Sequence, residues 1–190
     1  PIGGDPQIDK PVQDCMGGAP ANVACGLAQL GTDVAFVGRL GNDVIGSRFR
    51  ELMRKRGVNL IGLQTDFIRP SRIVLVRRDL NGERSFKGFE GDQGDGFADQ
   101  ALSLNSLIDA WPSLSRKARW LLIGSIPLAT PASAAALLWS VEQANNSGIS
   151  IALDVNWRPT FWNSSFAPDR GPDTDALAAI KTLLEGSNLL

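Results

Sequence analysis

Histidine is absent from this 190-residue sequence, and cysteine occurs only twice, as Cys15 and Cys25. The first absence removes Ser-His and Cys-His catalytic pairs and every zinc motif that needs imidazole. The second removes a disulfide framework and a cysteine-built zinc site, and suits a reducing compartment such as the cytoplasm. Acid–base work must fall to Asp, Glu, Lys or a group assisted by Arg. Charge of one sign is also missing: 19 Lys and Arg against 20 Asp and Glu give a net charge of −1. That leaves no electrostatic case for nucleic acid or an anionic membrane. The basic run Arg54-Lys55-Arg56 reads as cations at a helix C-terminus. No apolar run predicts a membrane span. The charge-free stretch from Trp120 to Val141 is split by Pro127 and Pro131 into a short strand and an alanine-rich helix. Neither a Walker loop nor a G-x-G-x-x-G fingerprint occurs.

What is present is enough for a core. Hydrophobic residues make up 43% of the chain and charged residues 21%, a balance that folds. The length fits one domain or part of a larger one, and a first residue of Pro leaves room for preceding sequence. The stretch CMGGAPANVACGLAQLG predicts a helix over about 20–30, with Val23, Leu27 and Leu30 on one face and Gly31 ending it. A buried strand over 33–38 follows. The next helix has Asn42 as a candidate cap, a stripe of Ile45, Phe49, Leu52 and Met53, and a stop at Gly57. Alternating strand and helix predicts an α/β fold with a mostly parallel sheet. The middle departs from this. Ile73, Leu75 and Arg77 alternate with Val74, Val76 and Arg78, and Asn81-Gly82 predicts a tight reversal, so a β-hairpin interrupts the chain. The acidic stretch from Glu90 to Asp99 does not match a calcium-loop spacing and reads as a solvated loop. A short helix near 98–107, a strand over 120–126, a helix over 131–145 and a strand over 149–154 come next. The last helix, over 173–185, has Leu177, Ile180 and Leu184 on one face, and a further strand is expected from Asn188 onward.

Two stretches carry chemistry at positions where open α/β sheets bind ligands, beyond strand C-termini. In Gly17-Gly18-Ala19-Pro20-Ala21-Asn22, a bare backbone permits close approach, and the Asn22 amide offers donors and an acceptor to vicinal hydroxyls. A neutral polyol fits; equally, the glycines could only make a turn and Asn22 only cap a helix. In Asp154-Val155-Asn156-Trp157-Arg158, an extended backbone would turn Asp154, Asn156 and Arg158 to one face. That trio suits a magnesium–phosphate group; an internal Asp154–Arg158 ion pair is the other reading. A sugar pocket beside a phosphate pocket suggests phosphoryl transfer to a hydroxyl, which needs positioning, charge stabilisation and one base.

Gly17, Gly18, Pro20, Asn22, Ala24, Gly31 and Gly41 stand in the register of a signature that this chain shares by resemblance. The stretch resembles the first signature of the ribokinase-like (PfkB-type) carbohydrate kinases, and VGRLGNDVIG is similar to its continuation. GERSF and LDVNWRPTFW resemble the fructokinase branch. The resemblance implies a doubly wound α/β domain with a small β lid formed by the inserted hairpin. Lid segments would lie at about 8–17 and 68–90, and the α/β core at about 18–67 and 91–190, all within one partial kinase domain over 1–190. It implies ATP-dependent phosphorylation of a sugar hydroxyl, with magnesium, in the cytoplasm, and a homodimer through the lid. Gly17, Gly18 and Asn22 match its sugar contacts, and Phe86 matches a lid position over the sugar. Asn156 and Arg158 match residues near the transferred phosphate, with Asp154 beside them. A sugar-acid kinase of the 2-keto-3-deoxy type, a nucleoside kinase, or a non-catalytic binding or assembly protein on the same fold are the alternatives. The family's opening strand and its Gly-Ala-Gly-Asp motif, whose Asp is the catalytic base, are not in this sequence. The chain is therefore expected to be truncated at both ends and inactive by itself.

Overall fold

In the computed structural model, residues 2–4, 11–78 and 84–190 are described, with side chains for 15–76 and 85–190. Strands β1 (Ile2–Gly4) and β2 (Pro11–Asp14) lead to helix α1 (Ala19–Gln29). Then come β3 (Ala35–Gly41), α2 (Val44–Lys55) and β4 (Asn59–Asp66), and the strands β5 (Ile73–Arg78) and β6 (Arg84–Glu90). The second half runs α3 (Leu104–Ser115), β7 (Trp120–Gly124), α4 (Pro131–Asn146), β8 (Ser150–Asp154), the single turn α5 (Pro159–Trp162) and α6 (Thr174–Glu185).

Three sheets form among the described residues. β3 pairs with β4 and β7 with β8, both in parallel, and each pair is closed by its intervening helix. These are the βαβ units that the alternation predicts. The third sheet has four strands in the order β2-β1-β5-β6, mixed in sense, with β5 and β6 antiparallel. The expected hairpin is therefore present; its Asn81-Gly82 turn lies outside the described residues. Among the described residues the two parallel pairs are not joined into one continuous sheet. The strand expected at the end of the sequence is a single parallel bridge, Ala152 to Leu189, reinforced by the Leu153 amide donating to the Leu189 carbonyl at 2.9 Å.

Each parallel pair owns a core. Ile123, Leu137, Val141, Ile149, Ile151, Leu153 and Leu183 cluster around β7–β8, and Ala21, Ala24, Met53 and Val58 around β3–β4. The inward face of α1 is thus its small residues. Val23, Leu27 and Leu30, expected to share the important face, are exposed, Leu30 by 83%. On α6 the expected face is met in part: Ile180 is buried, together with Ala176 and Leu183, while Leu177 is 54% exposed. Alanine permits close approach of helix and strand, so a face of small residues can win over a face of larger ones.

Caps set several boundaries. Asp43, not the expected Asn42, caps α2 by accepting from the Gly46 amide at 2.6 Å. Ser103 caps α3 and Asp173 caps α6 in the same manner. The helix expected near 98–107 is instead a 3-10 turn, Ala98–Ala101, followed by the separate α3, which tolerates Pro112 in its later half. The stretch 91–97 is irregular, as its reading as a loop requires. Among the described residues no helix is long and apolar enough to cross a membrane.

Candidate active site

The turn into α1 is built on Gly18, whose φ of 124° and ψ of 133° lie in a region essentially reserved for glycine. A Cβ there would meet nothing within 4 Å, so glycine is required by conformation and leaves the backbone open to a visitor. Gly17 precedes it, half-buried. Asn22 is exposed, and its amide N–H donates to the Gly18 carbonyl at 2.9 Å. Its side chain makes no capping bond: Gly18 is the cap residue and Pro20 fills the first turn. The reading of Asn22 as a cap therefore falls away, and its carboxamide has no partner among the described residues.

At the other stretch, β8 ends at Asp154. The alternation expected to aim Asp154, Asn156 and Arg158 at one face stops there, because residues 155–158 are irregular. Asp154 instead folds the chain: its Oδ1 accepts from the Asn156 amide at 3.1 Å. Arg158 is exposed and donates through Nη1 to the Trp157 carbonyl at 3.2 Å. Among the described residues no ion pair joins it to Asp154, so the internal-pair reading is not what forms. Its remaining donors are available for an outside anion. The ends of β7 and β8 are tied beneath this turn. Ser125, fully buried, donates its hydroxyl to the Val155 carbonyl at 3.2 Å, and its amide bonds the Asp154 carbonyl at 3.3 Å.

Phe86 lies on β6. It helps line a cavity of about 320 Å³ together with Arg72, Phe89, Thr160, Phe161 and Trp162. The structure therefore brings Phe86 to the residues that immediately follow Arg158. The cavity is aromatic-walled: Phe86 and Phe89 lie 5.0 Å apart edge to face, and Phe89 and Phe161 4.7 Å apart. The indole nitrogen of Trp162 is buried without a hydrogen-bond partner. Sequence reading singled out Phe86 and missed Arg72, Phe89, Phe161 and Trp162. The aromatic density of WRPTFW was the available signal.

Near the first turn of α2 lies a polar hub that positions rather than binds. Asp43 accepts from the Gly46 amide at 2.6 Å and from the Ser71 amide at 2.6 Å. Burial would raise its pKa, but these backbone donors outweigh burial and hold it below the ordinary carboxylate value. Asp66 is 1% exposed and behaves alike. Burial opposes its charge, while the amides of Arg69 and Ile68 and the guanidinium of Arg39 at 3.0 Å lower its pKa. Gly41 and Gly46 are needed here because a Cβ on Gly46 would strike the Gly41 carbonyl, and one on Gly41 would lie 2.6 Å from the Ser71 amide. Gly41, Asp43 and Gly46 of VGRLGNDVIG are thus explained by packing and capping.

The Gly-Gly turn opening α1, the unspent Asn22 amide and the exposed Arg158 guanidinium after β8 are the groups these two stretches offer to a ligand, and comparison with known proteins gives the family. The family described as pfkB family carbohydrate kinase matches residues 4–183, and the chain belongs to that family. It is 34% identical over 156 residues to Fructokinase-2 of Oryza sativa subsp. japonica, covering 82% of this chain and 44% of that protein. It is 31% identical over 157 residues to the fructokinase of Escherichia coli, covering 83% and 48%. Among solved structures, the Vibrio cholerae O395 fructokinase in fructose-, ADP- and calcium-bound form superposes with a TM-score of 0.75 at 27% identity, covering 98% of this chain and 54% of that one. The chain spans about half the length of the curated relatives it matches.

Proposed function

We propose that the complete gene product is a fructokinase-like sugar kinase, transferring a phosphoryl group from ATP to a sugar hydroxyl, and that this chain carries mainly the sugar side. The observation that supports it best is the α1 turn: Gly18 held in a glycine-only conformation with open space above it, and Asn22 left unpartnered beside it. Gly17 and Gly18 let the sugar approach the backbone, and Asn22 bonds its hydroxyls. Arg158 holds the charge that accumulates on the phosphoryl oxygens. In this reading the four-stranded sheet is the lid, with Phe86 over the sugar, and the two parallel pairs belong to one doubly wound sheet. The lid is also the surface through which two copies would pair, and the enzyme would work in the cytoplasm.

ATP supplies the phosphoryl group and magnesium offsets its charge when they are bound. Among the described residues no three acidic, cysteine or histidine side chains cluster to hold a metal ion. Asp154 and Asn156 would therefore reach magnesium through metal-bound water or alongside further oxygen ligands. The base and the nucleotide-holding turn are not among these residues either, so the chain alone is expected to be inactive.

The test is a coupled phosphorylation assay of the complete gene product against fructose, other hexoses, 2-keto-3-deoxy sugar acids and nucleosides, with and without Asn22→Ala. Fructose turnover, with affinity weakened about 10- to 100-fold in the variant, supports the reading. Turnover of another class reassigns the substrate. Sugar binding without turnover would place the protein among non-catalytic relatives.

A further inference from the structure

Arg72 is unusual among the side chains near the aromatic cavity. It is a cation only 9% exposed, and its guanidinium carbon lies over three rings at once: Phe89 at 4.6 Å, Phe97 at 4.5 Å and Phe161 at 4.8 Å. Its Nε also pairs with both carboxylate oxygens of Asp99, at 3.2 and 3.0 Å. The four partners come from four places: β6, the loop after it, the 3-10 turn and α5. An aliphatic side chain would fill the same box without desolvating a charge. The guanidinium adds a planar, directional hold on ring faces and a carboxylate together, which neither lysine nor methionine reproduces.

What that hold reaches is the point of interest. Phe161 donates its amide to the Arg158 carbonyl at 2.9 Å, and Asn163 donates to Pro159 at 3.0 Å. Fixing the Phe161 ring therefore fixes the one-turn helix, and with it the backbone that carries the Arg158 guanidinium. We propose that Arg72 is a positioning residue: it sets Arg158 against the hairpin so that the guanidinium meets the transferred phosphoryl group. This rests on the sugar-kinase reading for its consequence in catalysis, though not for the physical coupling between Arg72 and α5.

Two measurements on the complete gene product separate these levels. Amide hydrogen exchange reads the coupling without any activity. In Arg72→Met and Arg72→Lys, the amides of Phe161 and Asn163 should exchange at least about tenfold faster, while those of α2 and β3 stay unchanged. Unchanged exchange at Phe161 and Asn163, or acceleration everywhere alike, overturns the proposal. Kinetics then read the consequence. Arg72→Lys should lower kcat about tenfold with the fructose KM within about threefold, and the same substitution placed in Arg158→Ala should cost almost nothing further. A full additional loss in that background, or a change in KM alone, overturns the role through Arg158. If the wild-type protein phosphorylates no sugar, the kinase reading fails, and the exchange experiment still decides whether Arg72 holds α5.

Discussion

An added methyl at Gly46 would meet the carbonyl oxygen of Gly41, a backbone atom within a strand that cannot move aside cheaply. Gly26, in the middle of α1, has nothing within 4 Å of the same methyl. The two glycines look alike in the sequence, yet opposite outcomes follow. Gly46→Ala should destabilise by about 2 kcal/mol through overpacking, whereas Gly26→Ala should stabilise by about 0.5–1 kcal/mol through helix propensity. Chemical denaturation of both variants checks the pair, and equal shifts would contradict the packing account. Arg158 is the other residue with a sharp expectation. If its free donors act on the phosphoryl group, Arg158→Ala in the complete gene product should reduce kcat about 10²- to 10³-fold while sugar affinity holds. The turn at Gly18 was legible, because adjacent glycines before a helix mark a backbone that only glycine takes easily; what Asn22 and Arg158 hold is part of the proposal. The aromatic box was not legible, because its members are far apart in sequence and only the fold collects them.

Helix α2 shows how far elements could be read. Its stripe of Phe49 and Met53 and its stop at Gly57 follow from spacing, and Gly57 does take a φ of 82°. Its cap was assigned one residue early, since Asn42 and Asp43 are both good caps and only the carboxylate also reaches the Ser71 amide. That double use makes the start of α2 acid-sensitive. Asp43 and Asp66 both have folded-state pKa values below the ordinary carboxylate value. Their contribution is therefore complete above the unfolded value and is lost as pH falls through the folded one. Stability should begin to drop below about pH 5, and Asp43→Asn should flatten part of that slope while costing about 1 kcal/mol at neutral pH. Thermal midpoints measured from pH 7 to pH 3 check this; a variant with the wild-type slope would contradict it. Element α1 was found in place but turned, and α6 kept only Ile180 of its expected face inside, because a pattern of leucines marks a face without saying whether the fold covers it. The expected helix near 98–107 ended too early for α3, because Pro112 argues against a helix interior.

At the scale of the whole molecule, parallel units, the inserted hairpin and family membership were all legible, since each depends on local pattern or on spaced glycines. Strand order was not, because it depends on contacts that no single segment records. We propose that the two chemical stretches, the turn before α1 and the turn after β8, open into a single cleft; the aromatic cavity adjoins the second through Thr160 and Phe161. Diffraction from crystals of the complete gene product soaked with fructose tests that arrangement most directly. The account predicts sugar density resting on Gly17 and Gly18, with the Asn22 amide on its hydroxyls, Phe86 above it and Arg158 opening into the same cleft. Fructose bound away from Asn22, or Asn22 and Arg158 found on opposite sides of the protein, would contradict it.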